Sequence, residues 1–340
     1  MPVHYVHHPR PTIDIGPHVF PIEKYAILCA WLRDELGVPD ARWHEAGPVE
    51  RADLERVHTP AYVDDLLSAR ITRATMRSEL PIREDVIAGF LAMAGGAITT
   101  ARLALEHGIG FHIGGGLHHA FADHAEGFCY INDVAVAIAR MRAEDRLERV
   151  LVVDVDVHQG NGTAAIFAGD DDTFTYSIHQ ENNYPFKERS DLDRGLPDGI
   201  DDEAYLALLA RDLDRIDEDE AFEPDLVWYL AGVDPYERDQ LGGLALTAEV
   251  RFRGRRHALE RVAPRLRALR LERNRPLDGL LGHPSPTSSA RRPWRPDRSP
   301  SPADSRSRST PVWSSRRAAA PGPGRSSPTA SPAGRTFGRR

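Results

Sequence analysis

The sequence predicts an α/β domain built on a mainly parallel sheet flanked by helices. Three observations carry that prediction. Short apolar, β-branched runs recur at Ile109–Ile113, Val150–Val153, Thr173–Ile178 and Leu226–Leu230, as strands of a covered sheet do. Segments with helical spacing or helix-start signals lie between them, as crossover connections require. Acids and imidazoles gather just past two of those runs, at the carboxyl ends where parallel sheets place their sites.

The elements follow in chain order. Residues 1–25 mix His, Pro and aromatics and read as an entry strand and loop. Tyr25–Leu36 is apolar at Ile27, Leu28, Trp31 and Leu32 and is closed by Gly37, which predicts a helix. Thr59-Pro60 is a helix start within Leu54–Leu67. Ile82–Glu106 is a long Ala-rich helix whose Gly95-Gly96 points to close packing or a bend. The Ile109–Ile113 strand leads into Gly114-Gly115-Gly116, Leu117, His118 and His119, a turn followed by tandem histidines at the end of a strand that could neighbour the acid-rich one. Gly127-Phe128-Cys129 leads into a helix over roughly Asn132–Met141. A short helix is expected at Thr163–Phe167, a polar loop after Ile178 and a helix over Tyr205–Leu213. Asp234 follows the Leu226–Leu230 strand and precedes Pro235, which is read as stopping that strand.

The centre of the chain is Arg149–Gly162, RVLVVDVDVHQGNG. Asp154, Asp156 and His158 occupy every second position, so they line one strand face while Val153, Val155 and Val157 line the other. Two carboxylates and an imidazole at a buried strand end are costly to desolvate without a partner. A divalent metal is one compensation; an ion-paired strand end is another, and Asp234 reads equally as a turn-initiating residue. Placed on one metal, Asp156, His158 and Asp234 give two oxygens and one nitrogen, a set that suits Zn²⁺ and would accept Fe²⁺ or Mn²⁺. Three protein ligands leave an open position. Water there becomes a nucleophile near neutral pH, a nearby histidine relays its proton to a leaving amine, and Asp154 is placed to orient such a histidine. The chemistry assembled in this way is amide hydrolysis.

Composition bounds the rest. The 340 residues carry a formal charge of −8. That average hides a split: residues 1–250 hold 46 acids against 21 Lys+Arg, whereas residues 251–340 hold 5 acids against 22 Arg and no Lys. The first part repels nucleic acid, and the second attracts it without the aromatic pattern that specific binding to single strands uses. Cys29 and Cys129 form no CxxC pair, which argues for a reduced cytoplasm and against a disulfide scaffold. Neither a signal-peptide pattern nor an apolar run long enough for a membrane is read from the sequence.

GGGLHHA at 114–120, GFCYINDVAVA at 127–137, VVDVDVHQGNGT at 152–163 and AGVDPY at 231–236 together resemble the histone deacetylase family, including its bacterial acetoin-utilisation and acetylpolyamine relatives. VHTPAYVDDLL at 57–67 and RDQLGGLALT at 238–247 support the likeness, which covers about residues 1–250. His-Gln-Gly-Asn-Gly at 158–162 is similar to the class IV branch and its bacterial cousins. The resemblance implies the arginase/deacetylase fold and an enzyme that removes acyl groups from lysine side chains or small acylated amines. It implies Asp156, His158 and Asp234 as metal ligands, His118 and His119 as the active-site pair with His119 the general base and acid, and Asp154 as the partner of His118. Asn161 stands where many members have an aspartate behind the second histidine, so His119 should be less basic here. Gly127 and Phe128 look like one wall of an acyl-lysine tunnel and Tyr184 like the other. Asp154, Asp156, His158 and Ser177 match a structural K⁺ site.

One part that the family carries does not follow. No Gly-Gly-Tyr lies beyond Asp234, and the last tyrosine of the chain is Tyr236. That tyrosine would donate to the oxyanion of the tetrahedral intermediate; Leu281-Gly282-His283 is a faint echo of histidine-bearing variants. From about Val250 the composition turns to Arg, Pro, Ser, Ala and Gly, with 13 of the 26 prolines, and resembles a GC-rich gene read out of frame. The expectation is therefore a deacetylase-like domain over 1–249, lacking its C-terminal strands, and an Arg/Pro/Ser-rich, largely disordered tail over 250–340. Oligomeric state is not legible. Competing readings are an inactive metal-binding pseudo-deacetylase that binds acylated ligands, an arginase-type binuclear hydrolase, for which Asn161 offers the wrong ligand, and a non-specific nucleic-acid binder using the tail.

Overall fold

The computed structural model of the chain describes residues 2–8, 13–218 and 222–248. Among the described residues, seven parallel strands form two sheets. β1 (Val3–His7) lies between β2 (Trp43–Glu45) and β3 (Ile109–Ile113). β4 (Val150–Asp154) and β5 (Thr173–Gln180) are the inner strands of the second sheet, flanked by β6 (Leu192–Leu196) and β7 (Leu226–Leu230) in the order β6-β5-β4-β7. Among the described residues β7 pairs with β4 alone.

β4 is buried along its whole length, and its alternation divides the core. Val150 and Val152 pack with the helices α4 (Glu84–His107) and α5 (Asp133–Ala143). Leu151 and Val153 pack on the other face with Phe174, Tyr176 and Ile178 of β5 and with Leu209 and Leu213 of α7 (Asp202–Asp217). A parallel sheet covered on both faces explains why its strands read as continuous apolar runs. The Gly95-Gly96 pair does mark close packing. A Cβ at Gly95 would sit 1.9 Å from the Gly47 carbonyl oxygen, and one at Gly96 would sit 2.3 Å from His112 Nε2.

The remaining α-helices among the described residues are α1 (Lys24–Asp34), α2 (Arg51–Leu54), α3 (Pro60–Leu67) and α6 (Asn161–Ile166). α3 starts at Pro60, as its Thr-Pro signal requires, and α5 is capped by the Asn132 side chain, which accepts from the Ala135 N–H.

Several expectations are corrected. The central strand ends at Asp154 rather than at the glycine turn, because the chain bends at 156–158. The two-residue alternation nevertheless persists: Val155 and Val157 stay in the cluster of Val153. β7 ends at Leu230, five residues before Pro235, so the proline is not its terminator. β3 belongs to the other sheet and does not neighbour β4. The segment read as a polar loop after Ile178 begins with the last two residues of β5 and runs into β6, whose alternation of exposed Asp193 and Gly195 with partly or fully covered neighbours hides the apolar signal. β2 has three residues, too few for a period to show. α4 is long and apolar enough to cross a membrane by length and composition, against the expectation of no such run; 72% of its apolar window is packed inside the protein. Cys29 and Cys129 are both buried and free. The expectations for the tail over 250–340, the missing tyrosine and His283 lie outside the described residues.

Candidate metal centre

The site forms where the segment after β4 meets the segment after β7. The Val155 N–H donates to the Leu230 carbonyl at 3.1 Å, and the Val157 N–H donates to Asp234 Oδ1 at 3.0 Å, so the backbone of one segment fixes a carboxylate of the other. His158 Nδ1 lies 3.1 Å from Asp156 Oδ1 and 3.0 Å from Asp234 Oδ2. One nitrogen and two carboxylate oxygens lie within 4.8 Å of one another. Gly232 makes room for this: a Cβ there would fall 2.3 Å from Asp156 Oδ2.

The charges around His158 bear on what the cluster can hold. Burial opposes a charged ring, but the Asp156 and Asp234 carboxylates beside it hold its pKa up to about 10. Burial works against ionised Asp156 too, yet His118 and His158 keep it below the ordinary carboxylate range. Asp234 is pushed up to about 6 by burial and by the Asp156 charge. The ring nitrogen thus faces one oxygen from each of two carboxylates. A borderline divalent ion with nitrogen and oxygen ligands fits the same donor set, with a position left open.

The tandem histidines reach this cluster from the turn after β3. Gly114 and Gly116 take positive φ, of 130° and 88°, conformations that glycine adopts without strain. Asp133, at the start of α5, accepts from the Gly116 and Leu117 N–H groups at 3.1 and 2.7 Å and so ties the turn to the core. His118 Nδ1 lies 2.6 Å from Asp154 Oδ2, and its Nε2 lies 3.9 Å from Asp156 Oδ1. Burial opposes its charge, but the two aspartates raise it to about 9. His119 Nδ1 lies 2.8 Å from Asn161 Oδ1. Burial and the neighbouring His118 lower His119 well below the ordinary histidine range. The two rings are 4.1 Å apart between centroids, so their partners rather than their location set them apart. The two aspartates thus favour the charged form of His118, while burial and His118 favour the neutral form of His119.

Of the residues read as tunnel walls, Tyr184 and Gly127 approach this pair. The Tyr184 ring centroid is 5.4 Å from that of His119 and 6.0 Å from that of His158. Gly127, at φ 49°, lies under His119: a Cβ would meet His119 Cδ2 at 2.5 Å and the Tyr184 hydroxyl at 2.9 Å. Phe128 follows at φ 63°, held by its N–H bond to the Ser78 carbonyl at 3.0 Å, with His18 and Phe20 against its ring. Ser177 pairs in register with Asp154 and spends its hydroxyl on His179 Nδ1 at 2.9 Å.

Sequence reasoning missed Asp133, Glu126, His18 and Phe20. Asp133 reads as a first-turn helix acid; its bonds to the glycine turn span sixteen and seventeen residues. Glu126 reads as a loop charge, yet it is buried behind Asn161.

Comparison with known proteins bears on family and fold. The histone deacetylase domain matches residues 18–270. The chain is 42% identical over 257 residues to an uncharacterized protein of Picosynechococcus sp., covering 75% of this chain and 85% of that one. It is 30% identical over 243 residues to histone deacetylase 2 of Arabidopsis thaliana, covering 68% and 62%, and 34% identical over 170 residues to acetoin utilization protein AcuC of Staphylococcus aureus, covering 46% and 43%. The chain thus spans about three-fifths of the Arabidopsis protein's length. Among solved structures, an HDAC homologue from Aquifex aeolicus aligns with a TM-score of 0.67 at 23% identity, over 77% of this chain and 76% of that one. An HDAC homologue complexed with SAHA aligns with a TM-score of 0.65 at 23% identity over the same shares. Parallel sheets flanked by helices, the ordered motifs and a domain match over most of its length establish that this chain belongs to the histone deacetylase family, whose members are deacetylase-type hydrolases.

Proposed function

We propose that the chain is a zinc-dependent amidohydrolase that removes acetyl or other acyl groups from lysine side chains or small acylated amines. Asp156, His158 and Asp234 would hold the ion; Fe²⁺ suits the same donors. When bound, the metal supplies Lewis acidity toward a substrate carbonyl and toward water. His119, neutral and bonded through Nδ1 to Asn161, keeps Nε2 for accepting a proton and for returning it to the leaving amine. His118 stays protonated against Asp154 and contributes positive charge beside the reacting carbonyl. Gly127, Phe128 and Tyr184 would line the passage for the acyl-lysine stem. Asp154, Asp156, His158 and Ser177 would surround a structural K⁺. The domain is read as 1–249 with a tail over 250–340, acting in the cytoplasm on a substrate rather than on nucleic acid or membrane.

The observation that carries this reading is the convergence of three ligand atoms within 4.8 Å beside two histidines with unlike partners. Turnover should be weak, because no tyrosine follows Tyr236 to serve as the oxyanion donor. That same observation favours a second reading, a metal-binding pseudo-deacetylase that binds acylated ligands without hydrolysing them. Metal-loaded chain assayed on an acetyl-lysine peptide and an acetylated diamine separates the two. Slow but metal-dependent release of acetate is expected, and ligand binding with no release at all would select the second.

A further inference from the structure

Glu126 is a carboxylate that the site described so far leaves without a role. It is 8% exposed. Its Oε1 accepts from Asn161 Nδ2 at 2.9 Å. Its Oε2 is ion-paired with Arg77, which supplies the countercharge that a buried carboxylate needs. His124 Nε2 stands 3.7 Å from Oε2. Across Asn161, the amide Oδ1 faces His119 Nδ1 at 2.8 Å.

An amide differs from a carboxylate in having two unlike ends, one accepting and one donating. With Oδ1 toward His119, the amide accepts the Nδ1 hydrogen and leaves Nε2 bare. Turned over, Nδ2 would donate to a bare Nδ1, the ring proton would move to Nε2, and the ring could no longer accept a proton there. An aspartate at 161 would present only acceptors; Asn161 alone permits both arrangements. Glu126, paired to Arg77, offers only acceptors, so the donating end of Asn161 must face it. The accepting end is then left for His119.

We infer that Glu126 is a positioning residue that sets the tautomer of His119 through Asn161, restoring one residue further out the acceptor-only control that an aspartate at 161 would exert. The tautomer claim stands on this hydrogen-bond chain; its catalytic consequence rests on the reading of His119 as proton acceptor given above.

The test is the ¹⁵N chemical shifts of the histidine ring nitrogens in the full chain, recorded with and without one equivalent of zinc, with the His119 signals assigned by their loss in His119→Gln. The wild-type protein should show a single His119 tautomer with the hydrogen on Nδ1. Glu126→Ala and Glu126→Met, each checked for native fold by near-UV circular dichroism, should move a large share of His119 to the Nε2–H form. Asn161→Asp combined with Glu126→Ala should return it to Nδ1–H. A merely structural ion pair would lower stability and leave the tautomer alone. An Nε2–H ring in the wild type, or an unchanged Nδ1–H ring in the folded Glu126 variants, would overturn the inference. Where turnover is measurable, kcat should fall about five- to tenfold with KM little changed, the bias that one net hydrogen bond supplies, and should recover in the double variant. A tautomer shift that leaves kcat untouched would remove His119 from the proposed proton transfer while leaving the Glu126 inference standing.

Discussion

His119 Nδ1 lies 2.8 Å from Asn161 Oδ1, an amide where the adjacent His118 has the Asp154 carboxylate at 2.6 Å. The two rings share a location and differ in partner, and the partner decides which can take up a proton at neutral pH. His119→Ala should therefore reduce turnover more than His118→Ala, by about 10²-fold or more for loss of a proton-transfer group. Steady-state kinetics on the two variants decide the roles, and a larger loss in His118→Ala would reverse them. Asn161→Asp should raise the basicity of His119 and move the acidic limb of the pH–rate profile upward, since a carboxylate favours the imidazolium.

The His118–Asp154 pair should also be visible in stability. The folded-state pKa of His118, about 9, lies above the ordinary value of 6.5. Its contribution is therefore complete below about 6.5, declines between 6.5 and 9 as the unfolded chain alone loses the proton, and is gone above 9. In metal-free protein, Asp154→Asn should make the fall in stability over that window shallower, by up to one proton's worth. Denaturant titrations at a series of pH values measure this, and an unchanged slope would contradict the pairing.

Metal binding should release a proton. His158, held at about 10 by its two aspartates, must give up its Nδ1 hydrogen to become a ligand. Zinc affinity, measured by chelator competition, should rise roughly tenfold per pH unit between 6.5 and 8.5, as displacement of one proton requires. Affinity independent of pH would show that the ion binds elsewhere.

Gly127→Ala should distort the site. The new Cβ meets the buried His119 ring at 2.5 Å, and the backbone at φ 49° disfavours any side chain. A destabilisation of about 1–3 kcal/mol is expected. Thermal unfolding together with the tautomer and shift of His119 measures it; a variant of wild-type stability and spectrum would show that Gly127 is not packed against the ring.

The sheet was legible because Val150–Val153, buried along its whole length, and Leu226–Leu230 read as unbroken apolar runs. The grouping of Asp156 and His158 was legible because the two-residue alternation carries on past the end of β4. Val155 and Val157 stay in the core, and Asp156 and His158 are thereby turned toward Asp234. What stayed hidden depends on long-range pairing. β2 and β6 are short edge strands whose identity comes from their neighbours. Glu126 gains its place only when the chain brings it to Asn161, thirty-five residues away. Asp133 looks like a helix-start acid until its carboxylate is seen holding the glycine turn. The division into two sheets depends on pairing that no run of residues encodes.

Asp156, His158 and Asp234 are proposed to form one metal site that presents an open position to an acyl-lysine-like ligand. Binding of a hydroxamate to the full chain, titrated by calorimetry with zinc, without zinc and in Asp234→Ala, tests it without requiring turnover. Tight binding to the zinc-loaded wild type, lost on metal removal and in Asp234→Ala, is the expected result. Binding that is the same in all three, or absent from a folded, zinc-loaded wild type, would contradict it.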